Sequence, residues 1–190
     1  PVLKDLSLDI KSGESVAFVG FTGSGKTTII NLLLGFYKPQ KGVITIDGKN
    51  FNDYSVDSIR KNISLVPQDP VLFMGNVRSN IRLDKDFTDE EVENALRDIG
   101  ADRLIDFRNG LDEEVKDNGA SFSAGEKQLI AFARSYITNP KILILDEATA
   151  NIDTQTESVI QYAIDKLKQN RTTFIIAHRL STIKNVDCIY

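Results

Sequence analysis

The chain has 190 residues, 41% hydrophobic and 26% charged, with a formal net charge of −4. That composition suits a globular domain with one core or two lobes. No apolar run approaches the ~20 residues of a membrane-spanning helix, the scattered basic residues mark no nucleic-acid face, and the single cysteine, Cys188, excludes a disulfide within the sequence.

Taken in chain order, Leu6–Ile10 alternates in polarity and is followed by a Lys11-Ser12-Gly13 turn, as an antiparallel strand would be. Val16–Val19 is wholly apolar, the pattern of a parallel strand buried on both faces. It runs into Gly20-Phe-Thr-Gly-Ser-Gly-Lys-Thr27, a complete G-x-x-x-x-G-K-[ST] loop, and then into an apolar helix carrying Ile29, Ile30, Leu32, Leu33 and Leu34. Strand, glycine loop and helix in that order form a cradle for a nucleoside triphosphate. Gly20, Gly23 and Gly25 let the backbone curl until its N–H groups point inward, and Thr22 and Ser24 lie within the same turn. The helix N-terminus adds positive potential, Lys26 reaches the terminal phosphates, the Thr27 hydroxyl suits Mg²⁺, and Thr28 is a further phosphate donor.

Val43–Asp47 alternates again before Asp47-Gly48 and is expected to join Leu6–Ile10 in a small antiparallel flap. Ile63–Val66 reads as another buried strand. From Asp69 to Tyr136 strand patterns give way to helical spacing: Thr88-Asp-Glu-Glu91 is a capping box, Val92, Ala95, Leu96 and Ile99 line one face, and Gly100 is a stop. An α-helical lobe inserted at 69–136 into an α/β core of 1–68 and 137–190 is therefore expected. Ser121-Phe-Ser-Ala-Gly-Glu-Lys-Gln128 precedes an apolar-faced helix over Leu129–Ile137, with Ser123 and Glu126 spaced as a second capping box. The apolar stretch Ile142–Leu145 then delivers Asp146 and Glu147 at a strand's C-terminal end, where ligands of such sheets sit. Asp146 suits the Mg²⁺ shell, and Glu147 suits a base for the attacking water. A helix with Val159, Ile160, Ala163, Ile164 and Leu167 on one face follows Asp153, a residue also suited to capping it. Thr173–Ala177 is the next buried strand, with His178 at its end.

Phosphate loop, Gln68, Ser121–Gln128, Asp146-Glu147-Ala-Thr149, Ala150-Asn-Ile-Asp153 and Ile176-Ala-His178-Arg179, in this order and spacing, closely resemble the nucleotide-binding domain of ABC transporters. The resemblance covers essentially the whole chain. It implies a phosphate-loop NTPase core of RecA-like α/β type with a parallel sheet, and an ATPase using ATP and Mg²⁺. Two such domains, identical or related, would close head to tail, so that Ser123 and Gly125 touch a γ-phosphate bound by the partner. By the same resemblance Gln68 sees Mg²⁺ or the lytic water and links to the helical lobe, Asp153 crosses the dimer interface, and His178 contacts the γ-phosphate. Val66-Pro-Gln-Asp-Pro-Val-Leu-Phe-Met-Gly-Asn-Val77 followed by Asn80-Ile81 is similar to the exporter form, multidrug- or lipid-exporter-like, and an exposed Leu72-Phe73 pair would serve as a docking patch for a transmembrane domain. The expected setting is the cytoplasmic face of the cell membrane, with no nucleic acid as partner.

Phe122, Ala124 and Glu126 depart from the usual L-S-G-G-Q signature. Glu126 keeps the capping box but sets a negative charge near a polyphosphate, so the composite site this peptide completes is expected to be the weaker of two. The sequence opens downstream of the family's adenine-stacking aromatic, and Asp187-Cys-Ile-Tyr190 stops inside what reads as another strand. A piece of a longer polypeptide, with its transmembrane domain on the N-terminal side, is the expectation. Rival readings are a soluble ABC ATPase acting on DNA or ribosomes, a regulatory subunit that binds nucleotide without hydrolysing it, and a different phosphate-loop enzyme, which would leave Ser121–Gln128 unexplained.

Overall fold

A computed structural model describes residues 2–106, 109–146, 154–177, 183 and 185–190. In chain order its elements are β1 (Ser15–Phe18), α1 (Lys26–Leu33), β2 (Thr45–Ile46), β3 (Lys49–Asn50), α2 (Val56–Asn62), β4 (Ile63–Val66), β5 (Gly75–Asn76), α3 (Val77–Arg82), α4 (Asp89–Asp98), α5 (Arg103–Asp106), β6 (Glu114–Val115), α6 (Ala124–Ile137), β7 (Ile142–Asp146), α7 (Thr154–Lys168), β8 (Thr172–Ile176) and β9 (Cys188–Ile189). Five strands form one sheet in the order β4-β7-β8-β1-β9, every pairing in it parallel.

The strands are mostly apolar because both faces of the sheet are covered. Alternate side chains go to opposite sides. Ala17, Leu143, Leu145 and Ile175 join Ile130, Phe132 and Ala133 of α6, Ile160, Ala163 and Ile164 of α7, and Leu96 of α4 in one buried cluster. Val16, Phe18, Ile144, Phe174 and Ile176 join Ile30 of α1, Phe51 and Ile63 in the other. The first cluster runs without a break from the sheet into α4 and the loop residue Leu72.

Several local expectations are corrected. Leu6–Ile10 forms no ladder, although Leu8 and Ile10 do pack against the second cluster; the antiparallel flap is the short β2–β3 hairpin around Asp47-Gly48. A second antiparallel pair, β5 with β6, lies where helices alone were expected. Helix α6 begins at Ala124 rather than Leu129, because Ser123 caps it: the Glu126 N–H donates to Ser123 Oγ at 3.2 Å and the Ser123 N–H to Glu126 Oε2 at 2.7 Å. The Thr88–Glu91 box opens α4 in the same way, and Gly100 follows that helix at φ 75°.

Candidate functional site

The register of the sheet assembles the site. Phe18 of β1, Ile176 of β8 and Asp146 of β7 lie side by side in one row, and one row below, Leu145 pairs with Val66 of β4. The C-terminal ends of four neighbouring strands therefore open on one rim. From it emerge the phosphate loop after β1, Asp146 at the end of β7, and Gln68 two residues beyond β4. Asp146 is half-buried and Gln68 exposed. Glu147, Asp153 and His178 lie outside the described residues.

Between β1 and α1 the chain turns through Gly23 at φ 84° and Gly25 at φ 100°, left-handed conformations that glycine adopts without strain. Gly25 is also the N-cap of α1, and no side chain caps it, so the first N–H groups of this helix are presented to a ligand. A Cβ on Gly25 would meet Leu3 Cδ2 at 2.7 Å, and one on Gly20 would meet Ser24 Oγ at 2.9 Å. Lys26 is 9% exposed. Its ammonium donates to the Gly20 carbonyl at 2.6 Å, the Phe21 carbonyl at 3.1 Å and Ser24 Oγ at 3.4 Å. The cation thus sits beneath its own loop, and it can exchange those neutral acceptors for phosphate oxygens, a charge-assisted and stronger partner. Thr22, Ser24 and Thr27 are exposed and Thr28 is half-buried.

Ser123 and Gly125 belong to another neighbourhood. Ser123 is exposed at the start of α6 with its oxygen held by the capping box, so its hydroxyl can still donate. Gly125 is buried, and a Cβ there would overlap Thr156 Cγ2 of α7. Its lack of a side chain lets two helices approach, a packing role beyond the phosphate contact expected of it. The Leu72-Phe73 pair is divided: Leu72 is fully buried, whereas Phe73 is 55% exposed, flanked by exposed Val71 and Met74. Leu72 fills the space over Gly119, where a Cβ would meet its Cδ1 at 2.8 Å. Sequence reasoning passed over Arg134 and read Asn80 only as part of the exporter-like stretch; these are a guanidinium and a buried amide on elements with apolar inner faces, and the one further signal was a polar group at a helical position otherwise facing the core.

A family model described as ABC transporter matches residues 3–150. The Bacillus subtilis protein named "Probable multidrug resistance ABC transporter ATP-binding/permease protein YheH" is 53% identical over 99% of the chain, which covers 28% of that protein. A Streptococcus pneumoniae protein that carries the name of an ABC transporter ATP-binding protein, exp8, is 49% identical over the whole chain and 33% of its own length. Among solved structures, a bacterial Atm1-family ABC exporter with ATP bound aligns with a TM-score of 0.89 at 42% identity, over 99% of this chain and 33% of that one. The chain thus spans about a third of the length of the relatives it matches. With a model match over most of its length and relatives near half identical along all of it, the chain belongs to the ABC transporter family and is an ATP-binding, ATP-hydrolysing domain of it.

Proposed function

We propose that this domain pairs head to tail with a second nucleotide-binding domain, identical or related, around two ATP molecules, and that the cycle of closure and hydrolysis drives export through a transmembrane domain at the cytoplasmic face of the cell membrane. The observation that carries this reading is the shared rim: phosphate loop, Asp146 and Gln68 all arise from C-terminal ends of adjacent parallel strands, the place where such sheets bind ligands. Relatives named ATP-binding/permease proteins support the transmembrane partner.

In this reading the core is 1–68 with 137–190, and 69–136 is the inserted lobe bearing the signature. Gly20–Gly25 and the N-terminus of α1 cradle the β- and γ-phosphates. Lys26 and Thr28 donate to their oxygens. Thr27, Asp146 and Gln68 offer a hydroxyl, one carboxylate and an amide oxygen, a hard and sparse donor set that fits Mg²⁺ completed by substrate phosphates rather than a protein cage. When bound, Mg²⁺ neutralises charge on the phosphates. Glu147 takes a proton from the water whose oxygen attacks the γ-phosphorus, the bond to the β-phosphate oxygen breaks, and ADP and inorganic phosphate result. His178 holds the γ-phosphate, while Ser123 and Gly125 of the partner and Asp153 across the interface complete the pocket. The chemistry asks mainly for positioning and for donors aimed at developing charge.

The test uses the full-length parent. Lys26→Ala is expected to lower nucleotide affinity by roughly 10²-fold, the scale of one or two charge-assisted hydrogen bonds lost. Glu147→Gln is expected to keep binding and to lower turnover by about 10²-fold or more, trapping a closed pair that retains ATP through gel filtration. Rapid turnover by Glu147→Gln, or full nucleotide affinity in Lys26→Ala, would overturn the assignment.

A further inference from the structure

The exposed apolar loop around Phe73 is held by a polar clasp. Asn80 of α3 is 1% exposed. Its Oδ1 accepts from the Phe73 N–H at 2.8 Å while its Nδ2 donates to the Phe73 carbonyl at 2.8 Å, so one side chain satisfies both backbone groups as a neighbouring strand would. Nδ2 also donates to the Asn76 carbonyl at 3.0 Å. Arg134, in the last turn of α6, closes the clasp: Nε donates to the Asn80 carbonyl at 2.7 Å, one terminal nitrogen to Asn80 Oδ1 at 3.2 Å and the other to the Val71 carbonyl at 3.4 Å. Its guanidinium lies 5.6 Å from the centre of the Phe73 ring, within cation–π range.

Burial lowers the pKa of Arg134 from its ordinary value, and its hydrogen bonds given above run to neutral oxygens. A cation desolvated against neutral acceptors is a poor device for stability alone. It is a good device for geometry, because the planar fork fixes three acceptors at once. Ser123 caps the same helix about 16 Å away along its axis, at 1.5 Å per residue. The loop is held on its other side too, by Leu72 seated on Gly119 just ahead of that cap. The docking loop and the signature helix are therefore tied together on both flanks of Ser123.

We propose that Arg134 and Asn80 make Val71–Met74 move as one body with α6, so that Arg134 is a positioning residue carrying nucleotide-driven movement of the signature helix to a permease segment seated on Phe73 and Met74. This rests on the exporter reading above, and the occupant is the permease part of the same transporter: the chain covers about a third of relatives that carry one, and the loop presents Val71, Phe73 and Met74 to it.

The experiment uses the full-length parent in lipid vesicles, with a spin-label pair in the permease part, and compares AMP-PNP with Mg²⁺ against no nucleotide. The variants are Arg134→Lys, which keeps the charge and loses the fork, Asn80→Asp, which keeps the shape and loses the Nδ2 donor, and Phe73→Ala, which alters only a half-exposed ring. The clasp variants should keep AMP-PNP affinity and basal ATP turnover within about twofold while the permease population shifted by nucleotide falls about fivefold or more, the lower range of coupling between sites. Phe73→Ala should reduce the shift as well, and adding it to Arg134→Lys should cost less than the two effects combined, since both act through one contact. Full switching in the clasp variants overturns the inference, as does a loss of nucleotide affinity in step with the loss of switching, which marks a merely structural role. Should either clasp variant fail to fold, full switching in Phe73→Ala still overturns it. A wild-type parent that does not respond to nucleotide would remove the exporter reading itself, whereas a responsive wild type with equally responsive variants removes the clasp alone.

Discussion

In the proposed function, two demands fall on Gly125. Its position in the signature points to a phosphate contact, and that is legible in the sequence; its burial against Thr156 is not, because the neighbour lies some thirty residues on, in α7. Gly125→Ala forces a methyl into an occupied space, and overpacking of this kind costs about 1–3 kcal/mol. Thr156→Ser removes the obstructing Cγ2 and keeps the hydroxyl. The double variant is therefore expected to recover most of the stability that Gly125→Ala loses in urea unfolding. Equal destabilisation in the single and double variants would show that the glycine is required for backbone reasons instead. Ser123 contrasts with it: the cap it forms was readable from the S-x-x-E spacing alone, since both partners lie within one helical turn.

Among elements, legibility followed the number of buried faces. β1, β4, β7 and β8 are apolar on both sides, so composition alone betrays them. Leu6–Ile10 has an alternating pattern with Leu8 and Ile10 turned to the core, yet burial of alternate residues does not require a hydrogen-bonded neighbour. β5 and β6, two residues each, carry too little pattern to read. Beside the buried contact of Val77 and Ile81 with Val92 and Leu96, α3 and α4 are joined by ion pairs that hydrophobic periodicity does not reveal. Arg78 of α3 bonds Asp89 at 2.7 Å and Asp112 at 2.5 Å, and Arg82 bonds Asp89 at 2.5 Å. The Arg78 hydrogen bond holds the Asp89 carboxyl below its ordinary 3.8. Thr88 does the same for Glu91, chiefly through its backbone N–H, below an ordinary 4.5. A carboxyl whose folded pKa is depressed contributes stability that is complete above its unfolded value and lost as pH falls through the folded one. Protection of the α4 amides, corrected for intrinsic exchange, is expected to fall as pH drops below about 4, while β7 keeps its protection. Asp89→Asn with Glu91→Gln should flatten that dependence. Exposed ion pairs contribute modestly, so the change belongs to local opening of α4 and not to the global unfolding midpoint. A dependence that persists in the double variant would assign it to other carboxyls.

At the scale of the whole molecule, the proposed function gives one domain two halves of different pockets: the strand-end rim with its phosphate loop, and the capped start of α6. In the proposed head-to-tail pair each rim receives the other domain's α6. Glu126 then matters to the partner's nucleotide and not to its own. Its carboxylate is bonded to the Ser123 N–H, taking a donor that the helix N-terminus would otherwise offer an anion and adding a like charge. At ~8 Å and an effective dielectric of 20 to 80, the repulsion is roughly 0.5–2 kcal/mol per unit of phosphate charge. Glutamine at this position keeps the capping box through its amide oxygen and removes the charge. Glu126→Gln in the full-length parent is therefore expected to tighten ATP at one class of site by about 2- to 30-fold, with the larger effect at low ionic strength because exposed charges are screened by salt. The isolated domain, which lacks the opposing phosphate loop, should bind ATP with unchanged affinity. An increase in the isolated domain would place Glu126 near its own nucleotide and undo the head-to-tail arrangement. An unchanged parent would show that the carboxylate lies too far from the phosphates, or is too well solvated, to weaken the site it completes.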